Sequence, residues 1–229
     1  MVTPMTSPPA RPRSRTAPIV GLIVALGSAF LLPYLPGQAH QNIADVKQDL
    51  GVVLFEWIVA LVILAIVLFW ERLPLGSIGF RTPSWRDAGA MGIAIVAMFV
   101  ATAIFSALTA TASGATSAQI VAVPLTLRFA LFLTAGFCEE LMFRAYAIER
   151  LTLFTGKLWI SGAVTVAFFT LAHVPRYGFH LSLVAVAIIA AFLTALYVWR
   201  RNFWVCAAMH AFVDCVGLVI APLFGAGAH

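Results

Sequence analysis

The sequence predicts an all-α, multi-pass transmembrane helical bundle of about seven spans with a cytoplasmic N-terminus. Three observations point there. First, 62% of the 229 residues are hydrophobic, against about 45–50% in a soluble domain, and the mean hydropathy is +0.99. Second, apolar runs of bilayer length recur along the chain, and within a bilayer only helices and closed barrels satisfy their own backbone. Third, basic residues at Arg11–Arg15, Arg72–Arg86, Arg144–Lys157 and Arg200–Arg201 alternate with nearly neutral loops, the positive-inside pattern. These clusters largely make up the net charge of +5, so the charge reads as a topology signal and nucleic acid is not an expected partner. The expected location is the cell membrane, with lipid around the bundle.

Residues 1–18 are rich in Pro, Ser, Thr and Arg without an apolar period, as in a flexible cytoplasmic tail; residues 19–229 then form a single transmembrane helical domain. Ile19–Leu35 is the first apolar run. Its basic flank and the small residues of Gly37-Gln-Ala39 also suit a cleaved signal peptide, but the run is long and many spans follow, which favours a retained helix. Gly51–Trp70 is the second span. Glu56 lies about a turn and a half inside it, where snorkelling to the interface is the expected behaviour. Glu71–Arg86 is broken by Pro and Gly and reads as an interfacial connector, with Trp70 and Trp85 at headgroup level. Ala88–Ala112 is the third span. Ile120–Leu151 exceeds one crossing, with Arg128 near one boundary and Glu149 and Arg150 near the other. Leu158–His173, Leu181–Trp199 and Asn202–Phe224 follow as the last three. Cys138, Cys206 and Cys215 sit in apolar runs, without the spacing of a cysteine-based zinc site.

The fourth run carries the most conspicuous polar group. Glu139, Glu140 and Arg144 fall within six positions of a chain with only 10% charged residues. Charge inside a membrane is costly, so intramembrane acids are functional candidates by default. On an α-helix neighbours are turned by about 100°, which places Glu139 and Glu140 on different faces. Glu140 and Arg144 are four apart and pair along one ridge, leaving Glu139 available. His173 interrupts the fifth run, and His210 and Asp214 interrupt the seventh on one helix face, where the acid can orient the imidazole. A single such histidine is commonly just an interhelical hydrogen bond. Three polar sites on three helices are best satisfied by facing one another around a hydrated cavity. Simple alternating spans oppose this, because they set His173 and His210 at depths differing by roughly 10 Å. A helix broken at Pro175 is the candidate to close that gap.

Glu139-Glu140-x-x-x-Arg144, Phe169-x-x-x-His173 and His210-x-x-x-Asp214, in that order, resemble the three motifs of the CPBP family. It comprises the type II CAAX prenyl endopeptidases and the bacteriocin-processing or Abi proteins. Ile78-Gly-Phe-Arg81 is similar to the family's connector, and the resemblance covers about residues 70–220. It implies a glutamic intramembrane endopeptidase acting on a membrane-associated, prenylated or leader peptide. No cofactor is expected, because each helix offers only one candidate ligand or a His–Asp pair better suited to orienting the ring. Glu139 and His173 would activate water, Glu140 would pair with Arg144, and His210 with residue 214 would stabilise the oxyanion. An ionised Asp214 has no proton to donate, so orienting His210 suits it better. Three alternatives use the same residues. One is a zinc protease with Glu139, His173 and His210 as ligands, although His-Glu-x-x-His is missing. Another is a proton-relay transporter, although no repeated pair of Gly/Pro-broken helices is evident. The third is a non-catalytic immunity or scaffold protein.

Overall fold

Apolar runs this long close their hydrogen bonds within helices, and Pro and Gly decide where each helix stops. The computed structural model describes residue 12 and residues 14–31, 46–109 and 117–222, and among these every regular element is helical. Helix α1 is Thr16–Leu31, and α2 is Val46–Ala65, prolonged by a π turn, Ile66–Trp70. A 3-10 turn, Leu75–Ile78, precedes α3, Trp85–Thr109. After α4, Ser117–Ala122, Pro124 opens a continuous rod. The rod consists of α5 (Leu125–Thr134), a π-helix (Ala135–Tyr146) and α6 (Ala147–Thr155), and Gly156 ends it in a left-handed conformation. Then come α7 (Leu158–Ala172), the short α8 (Val174–Tyr177), α9 (Leu181–Arg200), α10 (Phe203–Cys215) and a last π turn, Val216–Ile220.

Among the described residues, four helices are long and apolar enough to cross a membrane: Asp49–Trp70, Trp85–Thr109, Leu181–Arg200 and Phe203–Ile220. Thr16–Leu31 and Leu158–Ala172 are apolar but shorter. Most of the expected tail, the possible cleavage site and the ends of the expected first, third and seventh spans lie outside the described residues. Large apolar side chains face outward, among them Phe69, Ile93, Val96, Leu108 and Trp159. Such a surface suits lipid, since soluble monomers rarely expose large contiguous apolar patches.

One end of the bundle is tied by ion pairs, with the connector as the strap. Glu71 accepts from Tyr146 at 2.8 Å and pairs with Arg150 at 2.7 Å, and Arg150 also donates to the Ser77 hydroxyl at 3.0 Å. Asp87 caps its own helix through Ser84 and pairs with Arg200 at 2.7 Å. Glu149 pairs with Arg201 and accepts from Tyr197. Glu149 and Arg150, expected as boundary charges, are thus buried in these pairs. Ile78-Gly-Phe80 locks the connector to α10. Gly79 has φ +82°, and a Cβ there would meet the Tyr197 hydroxyl at 2.7 Å, so only glycine suits both the backbone and the space. Its carbonyl accepts from Phe203 N at 2.8 Å, and Phe80 stacks on Phe203 at 4.2 Å. Asn202 caps α10 through Trp204 N. This strap sets where α10, and so His210, begins.

Candidate active site

The site is built on the π-helix Ala135–Tyr146. Its i→i+5 bonds make a wider turn than an α-helix, a winding that is rare and often found at functional sites. Gly136 brings it hard against α10. A Cβ at Gly136 would lie 2.7 Å from the Ala211 Cβ and 2.9 Å from the Ala207 carbonyl oxygen. Glycine on one element and alanines on the other thus let two backbones approach closely, as small residues do between membrane helices.

That approach delivers His210 to both glutamates. Its Nδ1 lies 2.8 Å from Glu140 Oε1, and its Nε2 lies 3.9 Å from Glu139 Oε2 and 3.7 Å from Asp214 Oδ2. Glu140 pairs with Arg144 as expected, its Oε1 accepting from Arg144 Nη1 at 2.8 Å. Two expectations need correction. Glu139 and Glu140 do not turn to separate surroundings; they address opposite edges of one imidazole. The wider winding turns each residue through a smaller angle than an α-helix does, and the two ring nitrogens point apart. Nor is Asp214 the group that holds His210 by a close bond. Glu140 takes Nδ1, and Asp214 lies towards Nε2.

Phe169 joins the remaining members. The Arg144 guanidinium stands 4.2 Å from its ring centre. The His173 ring lies 4.6 Å from it on one side and the His210 ring 6.1 Å on another. The separation of the two imidazoles therefore cannot exceed the sum of those distances. His173 Nδ1 lies 2.8 Å from the Phe169 carbonyl oxygen. A carbonyl only accepts, so Nδ1 carries the proton and, in the neutral ring, Nε2 carries the lone pair. The depth conflict eases for a local reason. Helix α7 has 15 residues, a length of about 22 Å against a hydrocarbon core of about 30 Å. His173 caps it directly before Val174-Pro175, and is carried less far across than a full span would carry it.

Burial is severe around Glu140, and Glu139, His173 and Asp214 are half-buried. Glu140 is 0% exposed, Arg144 1% and His210 5%. Glu139 Oε2, Glu140 Oε2 and Arg144 Nε and Nη2 are buried without a hydrogen-bond partner from the protein, and such atoms call for water or substrate. A further acid joins them. Glu56, expected to snorkel, is only 9% exposed, and its Oε2 is also buried without such a partner. It interacts electrostatically with Glu139, His210 and Asp214. The missed signal was its face: Glu56, Val59, Ala60 and Ile63 follow helical spacing, and all are buried.

Among the described residues, no three His, Cys, Asp or Glu side chains form a group that could hold a metal ion. The Nδ1 atoms of both histidines are engaged, so any ligand of these rings would meet Nε2. Cys138, Cys206 and Cys215 are free thiols.

Fold and site together define a multi-pass helical membrane protein with a carboxylate–histidine centre inside its bundle. Residues 121–216 match the family model described as type II CAAX prenyl endopeptidase Rce1-like. The match contains all three motifs and supports the CPBP/CAAX protease family. No curated protein and no solved structure matches the chain.

Proposed function

We propose that this chain is an intramembrane endopeptidase of the cell membrane, cleaving a peptide bond in a membrane-associated substrate of the prenylated or leader-peptide kind. Its N-terminus is cytoplasmic, and α1, α7 and the Leu125–Thr155 rod complete about seven spans. One observation carries this reading: a single imidazole, His210, stands between Glu140 and Glu139 inside the family-matched segment.

Glu139, supported by His173, takes a proton from a water as the water oxygen bonds to the scissile carbonyl carbon. The carbonyl oxygen becomes an oxyanion, and a donor aimed at it is worth about 3–4 kcal/mol. His210 is that donor. Its Nδ1 proton belongs to Glu140, so Nε2 donates in the imidazolium form, for which Glu139, Glu140 and Asp214 supply the counter-charge. When the tetrahedral intermediate collapses, the carbon–nitrogen bond breaks and the proton on Glu139 passes to the leaving amine. Arg144 holds Glu140 in place from the far side. The test is cleavage of a prenylated-peptide library by the purified protein in detergent, beside Glu139→Ala. Cleavage by the wild type that Glu139→Ala abolishes supports the assignment; equal rates refute it.

A further inference from the structure

Glu56 lies outside the three motifs and outside residues 121–216, and the reaction above makes no use of it. Its placement is nevertheless well fixed. It opens the face that α2 buries, and the adjoining Trp57 fastens that helix to the rod. Trp57 Nε1 donates to Thr134 Oγ1 at 3.0 Å, and its ring stacks on Phe137 at 5.1 Å. The charges that act on Glu56 are those of Glu139, His210 and Asp214, and Cys138 in turn feels both Glu56 and Glu139. Glu56 Oε2 and Glu139 Oε2 are both buried without a hydrogen-bond partner.

Carboxyls that share a buried site hold fewer protons than they have accepting oxygens, so the pair still lacks donors. Leaving each stranded costs free energy comparable to a lost charged hydrogen bond. A water has two hydrogens, one for each oxygen, and keeps its lone pairs for attack. We propose that Glu56 and Glu139 together hold the nucleophilic water. Glu56 is the positioning residue that anchors it, and Glu139 is the group that takes its proton. This deepens the protease reading of the same site and rests on it.

Two measurements on purified full-length protein separate the inference from that reading. The first is steady-state peptide cleavage by Glu56→Leu and Glu56→Gln. The leucine cannot accept a hydrogen bond, and a misplaced nucleophile costs about 100-fold in kcat, with KM little changed. The glutamine amide oxygen still accepts, and Glu56→Gln recovers roughly tenfold of that loss. A purely structural role would lower thermal stability and leave kcat per folded molecule unaltered. The second measurement needs no substrate: the melting temperatures of Glu56→Gln, Glu139→Gln and the double variant. Two carboxyls that hold one water are coupled, so the shift caused by Glu56→Gln differs in the Glu139→Gln background. Wild-type kcat in Glu56→Leu overturns the proposal, as do additive melting shifts. If the wild type cleaves nothing, the protease reading fails and the melting cycle alone decides; it also decides if Glu56→Leu does not fold.

Discussion

Replacing Arg144 by methionine tests what holds the centre together. Arg144 is 1% exposed, and its Nη1 lies 2.8 Å from Glu140 Oε1, which is fully buried and also accepts from His210. Methionine roughly keeps the length and removes the charge, so Glu140 is left with His210 as its close partner. Stranding one member of a buried pair costs about 3–5 kcal/mol, and loss of the contact with the Phe169 ring adds about 1 kcal/mol. At about 2–4 °C per kcal/mol for a chain of this size, Arg144→Met lowers the melting temperature by roughly 8–24 °C. Glu140→Gln strands the guanidinium and falls by a similar amount. It also slows turnover, because Glu140 holds the His210 ring. The double variant removes both charges and regains much of the loss, since neutral replacement of a buried pair is often tolerated. Tryptophan-fluorescence melting in detergent measures all three. A melting temperature for Arg144→Met within about 2 °C of wild type, well under the drop expected for a stranded charge, would refute the reasoning. So would a double variant as unstable as the two singles combined.

Glu139→Gln behaves oppositely: its side chain is 17% exposed and its buried Oε2 has no hydrogen-bond partner to strand, so the fold is retained while kcat drops by about 100-fold or more. Gly136→Ala places a methyl 2.9 Å from the Ala207 carbonyl oxygen and the Ala211 nitrogen, and backbone atoms cannot rotate away. Overpacking of this kind costs about 1–3 kcal/mol and shifts His210, so both melting temperature and cleavage rate fall, whereas Gly27→Ala, with open space around it, lowers neither. Cleavage survives exhaustive chelation and dialysis. Loss of activity restored by stoichiometric zinc would instead assign Glu139, His173 and His210 as ligands.

The Glu140–Arg144 pair was legible because four residues along any helix of this kind keep two long side chains within reach. The convergence of three polar sites was legible because burial penalises each one separately. The angle between the two glutamates was not, since a change of helical winding leaves no mark on composition or charge. The partner of His210 was misjudged because spacing displays Asp214, four residues on, and hides Glu140, 70 positions away. Glu56 was read by its position near a span end instead of by the face it shares with Val59, Ala60 and Ile63. The break after His173 was announced by Pro175, and the helix ends at Ala172. Arg150, Arg200 and Arg201 looked like topology markers, because nothing local identifies Glu71, Asp87 and Glu149 as their partners across the bundle.

The π winding of Ala135–Tyr146 makes the residue count between Gly136 and Arg144 a structural variable in its own right. Each of its turns accommodates one residue more than an α turn. Deleting one residue there would let the segment tighten and would swing its downstream side chains around the axis. The hydropathy profile would barely change, yet a glutamate would leave the imidazole. Length in this window is therefore under tighter restraint than side-chain identity at most of its apolar positions. When related chains are aligned, a gap between Gly136 and Arg144 signals a rebuilt or silent centre even where every motif letter survives.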